Sequence, residues 1–319
     1  MEVSSGNNGS LSPTRRAASR LQPWFLFVAQ SRFVDSIREA ARNSELTSQG
    51  EALADNIAAV IATTMFPAMS AMNEIKSARF QRLMIAEHIS AGAHSKELTD
   101  EEHEICRKNA SLQCEEEFSS DDGLERLFDD TVDRLNASLR STEIKATVEE
   151  LLRQATVSIW SSFEVFSGDI AIELVNIAPH RALSLFQSEK TRRHLGGKGS
   201  ISLEVLAACD FDLSGKVGNL IWESRRLDAL NVIRDIFSVL AAENSTLQKK
   251  LSCDDMWILN QRRHLIVHRR GIVDQEYLNQ TSEKLQLGSR LCPRSEEVET
   301  YLGTIRDVAT GLLLTFPAK

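Results

Sequence analysis

Glycine and proline are scarce in this chain, at 15 and 6 of 319 residues. An all-β sandwich or barrel needs a turn about every 8 to 12 residues, and its turns draw on those two residue types. The shortage excludes that class and favours helices. Cysteine is also sparse: Cys106, Cys114, Cys209, Cys253 and Cys292 are odd in number, widely spaced and without a C-x-x-C pair. Neither a disulfide framework nor a zinc site is indicated, and a reducing compartment fits. Long apolar runs are missing too. The stretch from Ile57 to Met69 is broken by Thr63, Thr64 and Pro67, and it falls short of the ~18 to 20 residues that a bilayer requires. No membrane span is expected. The pair Arg15-Arg16 is followed by only a short apolar run, Trp24 to Ala29, too brief for the core of an export signal. The expected location is the cytoplasm.

What is present suits a soluble globular protein: 42% hydrophobic residues, 26% charged and a mean hydropathy of -0.22. The length allows one large domain or two ordinary ones. The net charge of -8 is unevenly placed, because residues 1–150 carry 16 Lys/Arg against 25 Asp/Glu while residues 151–319 carry 21 against 20. The division expected from this shift is a polar, disordered tail over 1–20, an acidic helical region over 21–140 and a neutral helical bundle over 141–319.

Along the chain, Phe27, Val34, Ile37 and Ala41 fall at helical spacings. A second apolar run from Leu53 to Met72 should kink or stop at Pro67. Thr99-x-x-Glu102 has the form of a capping box that opens a helix. Glu115 to Gly123 reads as a solvated acidic loop, lacking the spacing of a calcium loop. A long helical pattern then runs from about Asp130 to Pro179, and further helices are expected from Ser202 to about Cys209, Ser224 to Ala242, Asp254 to about Arg270, and Ser295 to Phe316. Thr191 to Ser200 is a basic, glycine-containing loop whose glycines do not match a Walker A spacing. His88, His94 and His103 are spaced too irregularly to suggest a metal site, and no spacing in the chain calls for a cofactor.

One segment concentrates chemistry: Asn260-Gln261-Arg262-Arg263-His264-Leu265-Ile266-Val267-His268-Arg269-Arg270-Gly271-Ile272-Val273-Asp274. In a helix over Asp254 to Arg270, Trp257, Ile258, Leu265, Ile266 and Val267 are expected on the buried side, and Gly271 is placed to end it. Arginine offers a fixed fork of donors to phosphate oxygens, and histidine exchanges protons near neutral pH. Arg262, Arg269 and Arg270 read either as a solvated helix end suited to the dipole or as a grip on a phosphate backbone. Glu164, beside Phe163 in a long apolar helix, either pairs with one of these arginines or fills a packing defect.

The pattern Arg263, a polar residue (His264), three residues, His268 resembles the signature of the HEPN domains. Ser162-Phe163-Glu164 upstream, and Gly271-Ile272-Val273-Asp274-x-x-Tyr277-Leu278 downstream, are similar to members of its bacterial branch. The resemblance covers roughly residues 141–316. It implies an all-α, HEPN-like helical bundle with the N-terminal helical region as an addition, and a homodimer that brings two motifs into one cleft. Many such proteins are metal-independent endoribonucleases of stress or defence, in which the RNA 2′-OH attacks the adjacent phosphate. His268 would then be the general acid or base, Arg263 would stabilise charge on the phosphorane, and His264 would orient Arg263 or touch phosphate. Residues five apart on an ideal helix lie ~140° around its axis, so Arg263 and His268 converge poorly unless the helix distorts or a second motif completes the site. The alternative is a catalytically silent HEPN bundle serving dimerisation or RNA or nucleotide binding, with the acidic N-terminal helices holding a protein partner.

Overall fold

A computed structural model describes residues 20–21, 23–195, 202–222, 227 and 229–318. Within them the chain is all-α. In order, the helices are α1 (Ser31–Arg42), α2 (Thr47–Ser90), α3 (Asp100–Ser119), α4 (Asp121–Ser138), α5 (Thr142–Ile177), α6 (His180–Gln187), α7 (Glu189–Arg192) and α8 (Leu203–Ala208). Then come α9 (Val217–Trp222), α10 (Leu230–Leu240), α11 (Ser245–Leu251), α12 (Asp254–Arg269), α13 (Gln275–Thr281) and α14 (Ser295–Thr315). Extended pairing among the described residues is confined to two isolated bridges, Ser44 with Pro317 and Ile272 with Arg290. The expected tail up to residue 19, the glycines of the basic loop, and the start of the helix expected at Ser224 lie outside the described residues; Arg20, counted in that tail, is ordered and pairs with Asp129 and Asp133.

The chain forms two compact units. One takes Thr63–Glu149 and Arg294–Glu296 with the described residues up to Val28; the other takes Ala29–Ala62, Glu150–Pro293 and the chain from Glu297 onward. Residues 29–62, placed by composition with the acidic region, therefore belong with the helices of the C-terminal half. In the first unit Leu21, Phe25, Phe27, Ala68, Ala71, Val132, Leu135 and Val148 form one buried cluster. In the second, α5 buries Ile159, Trp160, Phe163, Phe166, Ile170 and Leu174, and α14 buries Val298, Leu302, Ile305, Ala309 and Leu312. Both rows follow i, i+3/i+4 spacing, so each helix presents one apolar stripe. α10 packs against α6, α7, α11 and α12.

Two local expectations are corrected and a third is narrowed. Pro67 does not end its helix, and α2 runs through it for 44 residues. Thr64 and Ala68 on either side of the proline are both buried, and this packing carries the helix past the missing hydrogen bond. The acidic stretch Glu115 to Gly123 is not a loop. Ser120 alone separates α3 from α4, its hydroxyl accepting from the Gly123 N–H at 3.1 Å. Asp121 and Asp122 occupy the first turn of α4, where negative charge suits the helix dipole. Gly123 permits the close approach, since a Cβ there would stand 1.7 Å from the Glu117 carbonyl oxygen. The helical pattern expected from Asp130 onward is two helices, divided at residues 139–141, with the Ser141 hydroxyl accepting from the Ile144 N–H. The capping box at Thr99 and Glu102 forms as its sequence suggests. Because α2 is continuous, it is one helix among the described residues long and apolar enough to cross a membrane; 39% of its most apolar window, of mean hydropathy 1.4, is buried.

Candidate active site on helix α12

Helix α12 begins with Asp254 and Asp255 in its first turn and ends at Arg270, which adopts a left-handed conformation (φ 57°), followed by Gly271 (φ 74°). The Gly271 N–H donates to the Leu265 carbonyl at 3.0 Å, closing the helix end. The chain beyond is pinned: Leu291 N–H donates to Gly271 O at 2.7 Å, and Val273 N–H to Ser289 O at 2.9 Å. Arg153, fully buried on α5, donates to the Leu291 carbonyl at 3.2 Å and to Glu150 at 2.9 Å. The end of α12 is thereby held in register beneath its own motif.

The stripe that α12 buries is Met256, Leu259, Arg262, Leu265 and Ile266. This differs from expectation at several positions: Trp257 and Ile258 are only half-buried, and Gln261 is buried beside Arg262. Val267 is 47% exposed. Arg262, read from the sequence as a helix-end cation or phosphate grip, has a side chain only 6% exposed, bonded to Glu283 at 2.6 Å and to Glu297 at 2.7 Å. Tyr277 donates its hydroxyl to Glu283, and the Tyr301 ring lies 5.9 Å from the guanidinium. Burial works to lower the Arg262 pKa, but the hydrogen bonds to Glu297 and Glu283 and the charge of Glu297 outweigh it and push the pKa up. A guanidinium so enclosed fastens α12 to α14 and to the segment after α13, and it is withheld from any ligand in solution. The signal for this was present, since Arg262 stands three residues from both Leu259 and Leu265, within the apolar row.

Of the other motif residues, His264, His268, Arg269 and Arg270 are exposed and Arg263 is half-buried. Arg263 donates to Glu164 on α5 at 3.2 Å, with side chains 22% and 17% exposed. Of the two sequence readings of Glu164, pairing with a motif arginine is the one realised. His264 and His268, one turn apart, are both exposed and have ring centroids 4.6 Å apart. Burial, together with the positive fields of His268 and Arg263, lowers the His264 pKa, which favours the neutral ring. Arg269 is exposed and pairs with Asp274 at 3.4 Å, and Arg270 is exposed.

A cavity of about 200 Å³ opens beside His264, lined also by Asn260, Arg269, Asp274, Tyr277 and Gln280. Asn260, which the sequence places in the segment without a role, and Gln280, which sequence reasoning missed, add amide groups, because only the return of α13 against α12 places them there. The cavity thus sets the His264 imidazole among amides, the Arg269 guanidinium and the Asp274 and Glu276 carboxylates; His268 is exposed one turn on, and neither it nor Arg263 lines the cavity. Elsewhere, His103 Nδ1 lies 3.2 Å from His88 Nε2, a pairing that their sequence spacing does not suggest. Comparison of the chain with models of known families, with curated proteins and with solved structures finds no match.

Proposed function

We propose that the protein is a metal-independent endoribonuclease of HEPN type that acts on RNA as a homodimer. The observation that carries this reading is the exposed His264–His268 pair standing next to an Arg263 that is oriented by Glu164. Proton transfer near pH 7 and charge stabilisation at phosphate need these groups, held in position and open to a polymer. In the proposed reaction His268 takes the proton of the ribose 2′-OH as its oxygen attacks the adjacent phosphorus. Arg263 stabilises the negative charge on the phosphorane. The P–O5′ bond breaks, the departing O5′ takes a proton from solvent water while the imidazolium of His268 returns its proton to solvent, and the products are a 2′,3′-cyclic phosphate and a 5′-OH end.

The second copy is called for by the ~140° between positions 263 and 268 on a regular helix. Val267 and Ile272, both more than 40% exposed beside the motif, give it an apolar surface to cover. Arg269 and Arg270 serve as phosphate-backbone contacts. A cytoplasmic location, a role in stress or defence, and a protein partner on the N-terminal helical region belong to the same reading.

A second reading is favoured by the Arg263–Glu164 ion pair itself, which neutralises the arginine in the free protein. On that reading the bundle is catalytically silent and serves dimerisation or RNA binding. Cleavage of end-labelled single-stranded RNA separates the two. Cleavage that survives EDTA, leaves cyclic phosphate ends and falls about 10² to 10⁴-fold in His268→Ala is expected. A 3′-OH at the new end rules out 2′-OH attack, and intact RNA with every variant leaves the binding module.

A further inference from the structure

The segment Thr63–Glu149 carries ten Lys/Arg against eighteen Asp/Glu, yet five of those ten cations gather at one place. A groove of about 550 Å³ lies between α2, α3 and α4, with Arg79 and Arg82 on one side and Arg126 and Arg134 on the other. Its wall includes the half-buried ring of Phe118, and the Lys76 ammonium stands 5.9 Å from the centre of that ring. In so acidic a segment, chance would surround an average surface hollow with carboxylates.

The charges in the groove do not cancel. Glu117 serves two guanidinium groups at once, accepting from Arg79 at 2.8 Å and lying 3.9 Å from Arg126. Arg134 is paired with Glu74, and Asp130 adds one further carboxylate to the lining. Arg82 makes no ion pair or hydrogen bond among the described residues. A surplus of positive charge therefore remains, with one guanidinium uncommitted and a second, Arg126, sharing its carboxylate at long range.

The shape and the chemistry agree on a ligand. The volume falls within the ~300 to 1,000 Å³ typical of small-molecule sites. Arginine forks match phosphate oxygens, while an aromatic ring and flat guanidinium planes suit a stacked heterocycle. We infer that this groove binds a nucleoside phosphate, with its phosphate between Arg82 and Arg126 and its base against Phe118. None of these residues belongs to α12, so the inference stands or falls separately from the ribonuclease reading.

Calorimetric titration of the full chain with ADP tests it. Saturable binding to one site is expected, with affinity reduced about tenfold or more in Arg82→Ala, since a charged hydrogen bond to phosphate is lost. Arg82 is exposed, so this variant keeps the fold. Phe118→Leu is expected to weaken ADP while leaving inorganic pyrophosphate unchanged, and His268→Ala to bind ADP like the parent chain. No binding at millimolar ADP overturns the inference. So does equal affinity of the parent and Arg82→Ala, which places the nucleotide elsewhere. Pyrophosphate that binds as tightly as ADP makes the groove an anion site without a nucleoside subsite and overturns it as well.

Discussion

Arg263 and Glu164, 99 residues apart in sequence, meet at 3.2 Å with less than a quarter of either side chain exposed. The pair fixes which way the motif arginine points, and that gives Glu164 a positioning role in any chemistry at α12. Glu164→Gln keeps an acceptor but loses the charge. On the proposed mechanism it should lower kcat about tenfold or more with little change in KM, since orientation is disturbed rather than RNA binding. Steady-state kinetics on a short RNA reads this split, and an effect confined to KM contradicts it.

The enclosed Arg262 should matter to stability far more than its neighbours. Arg262→Ala leaves Glu283 and Glu297 without their shared cation and should cost about 3 to 5 kcal/mol, the usual penalty for breaking a buried pair. Arg270→Ala, on an exposed side chain, should stay within about 0.5 kcal/mol and instead weaken RNA binding and flatten its salt dependence. Urea denaturation of the two variants, together with RNA titrations at two salt concentrations, checks the contrast.

His264 makes the protein sensitive to mild acid. Its pKa is lowered in the folded state by burial and by nearby positive charge, so below its ordinary value near 6.5 the unfolded chain binds more protons than the folded one. Stability should therefore fall as pH drops through that value and be unaffected by this residue well above it. His264→Asn removes the effect. Thermal melts between pH 5 and 8 should show a smaller acid-side decline in that variant, and parallel curves for the two proteins would refute the assignment.

Gly218 at α9 marks a contact that admits no side chain. A Cβ there would lie 2.1 Å from the Ile172 carbonyl oxygen of α5, and the Gly218 N–H donates to Asn176 Oδ1 at 2.8 Å. Gly218→Ala must push α9 away from α5 and should destabilise by several kcal/mol, beyond the usual ~1 kcal/mol of a point mutation. Denaturation that leaves the midpoint unchanged would show that α9 is free to shift.

The all-α character was legible in the chain because turn-forming residues are few and apolar residues recur at helical spacing over long stretches. The end of α12 was legible for a local reason too: a glycine follows it. The helix through Pro67 and the single-residue break at Ser120 were not, because each is decided by neighbours that override local propensity. Arg262 and Val267 exchange the places expected of them for the same kind of reason. Two glutamates far along the chain make an interior arginine stable, while nothing among the described residues covers the valine.

By itself the sequence determined that helices form, where several of them are capped, and that one helix carries an Arg263, His264 and His268 motif, since these depend on contacts within a few residues. Only the tertiary structure decided which arginine is buried, that Glu164 is the partner of Arg263, and that cations of an acidic segment meet in one groove. Each of these is a contact between elements distant in sequence, and charge patterning along a chain does not say which faces will meet.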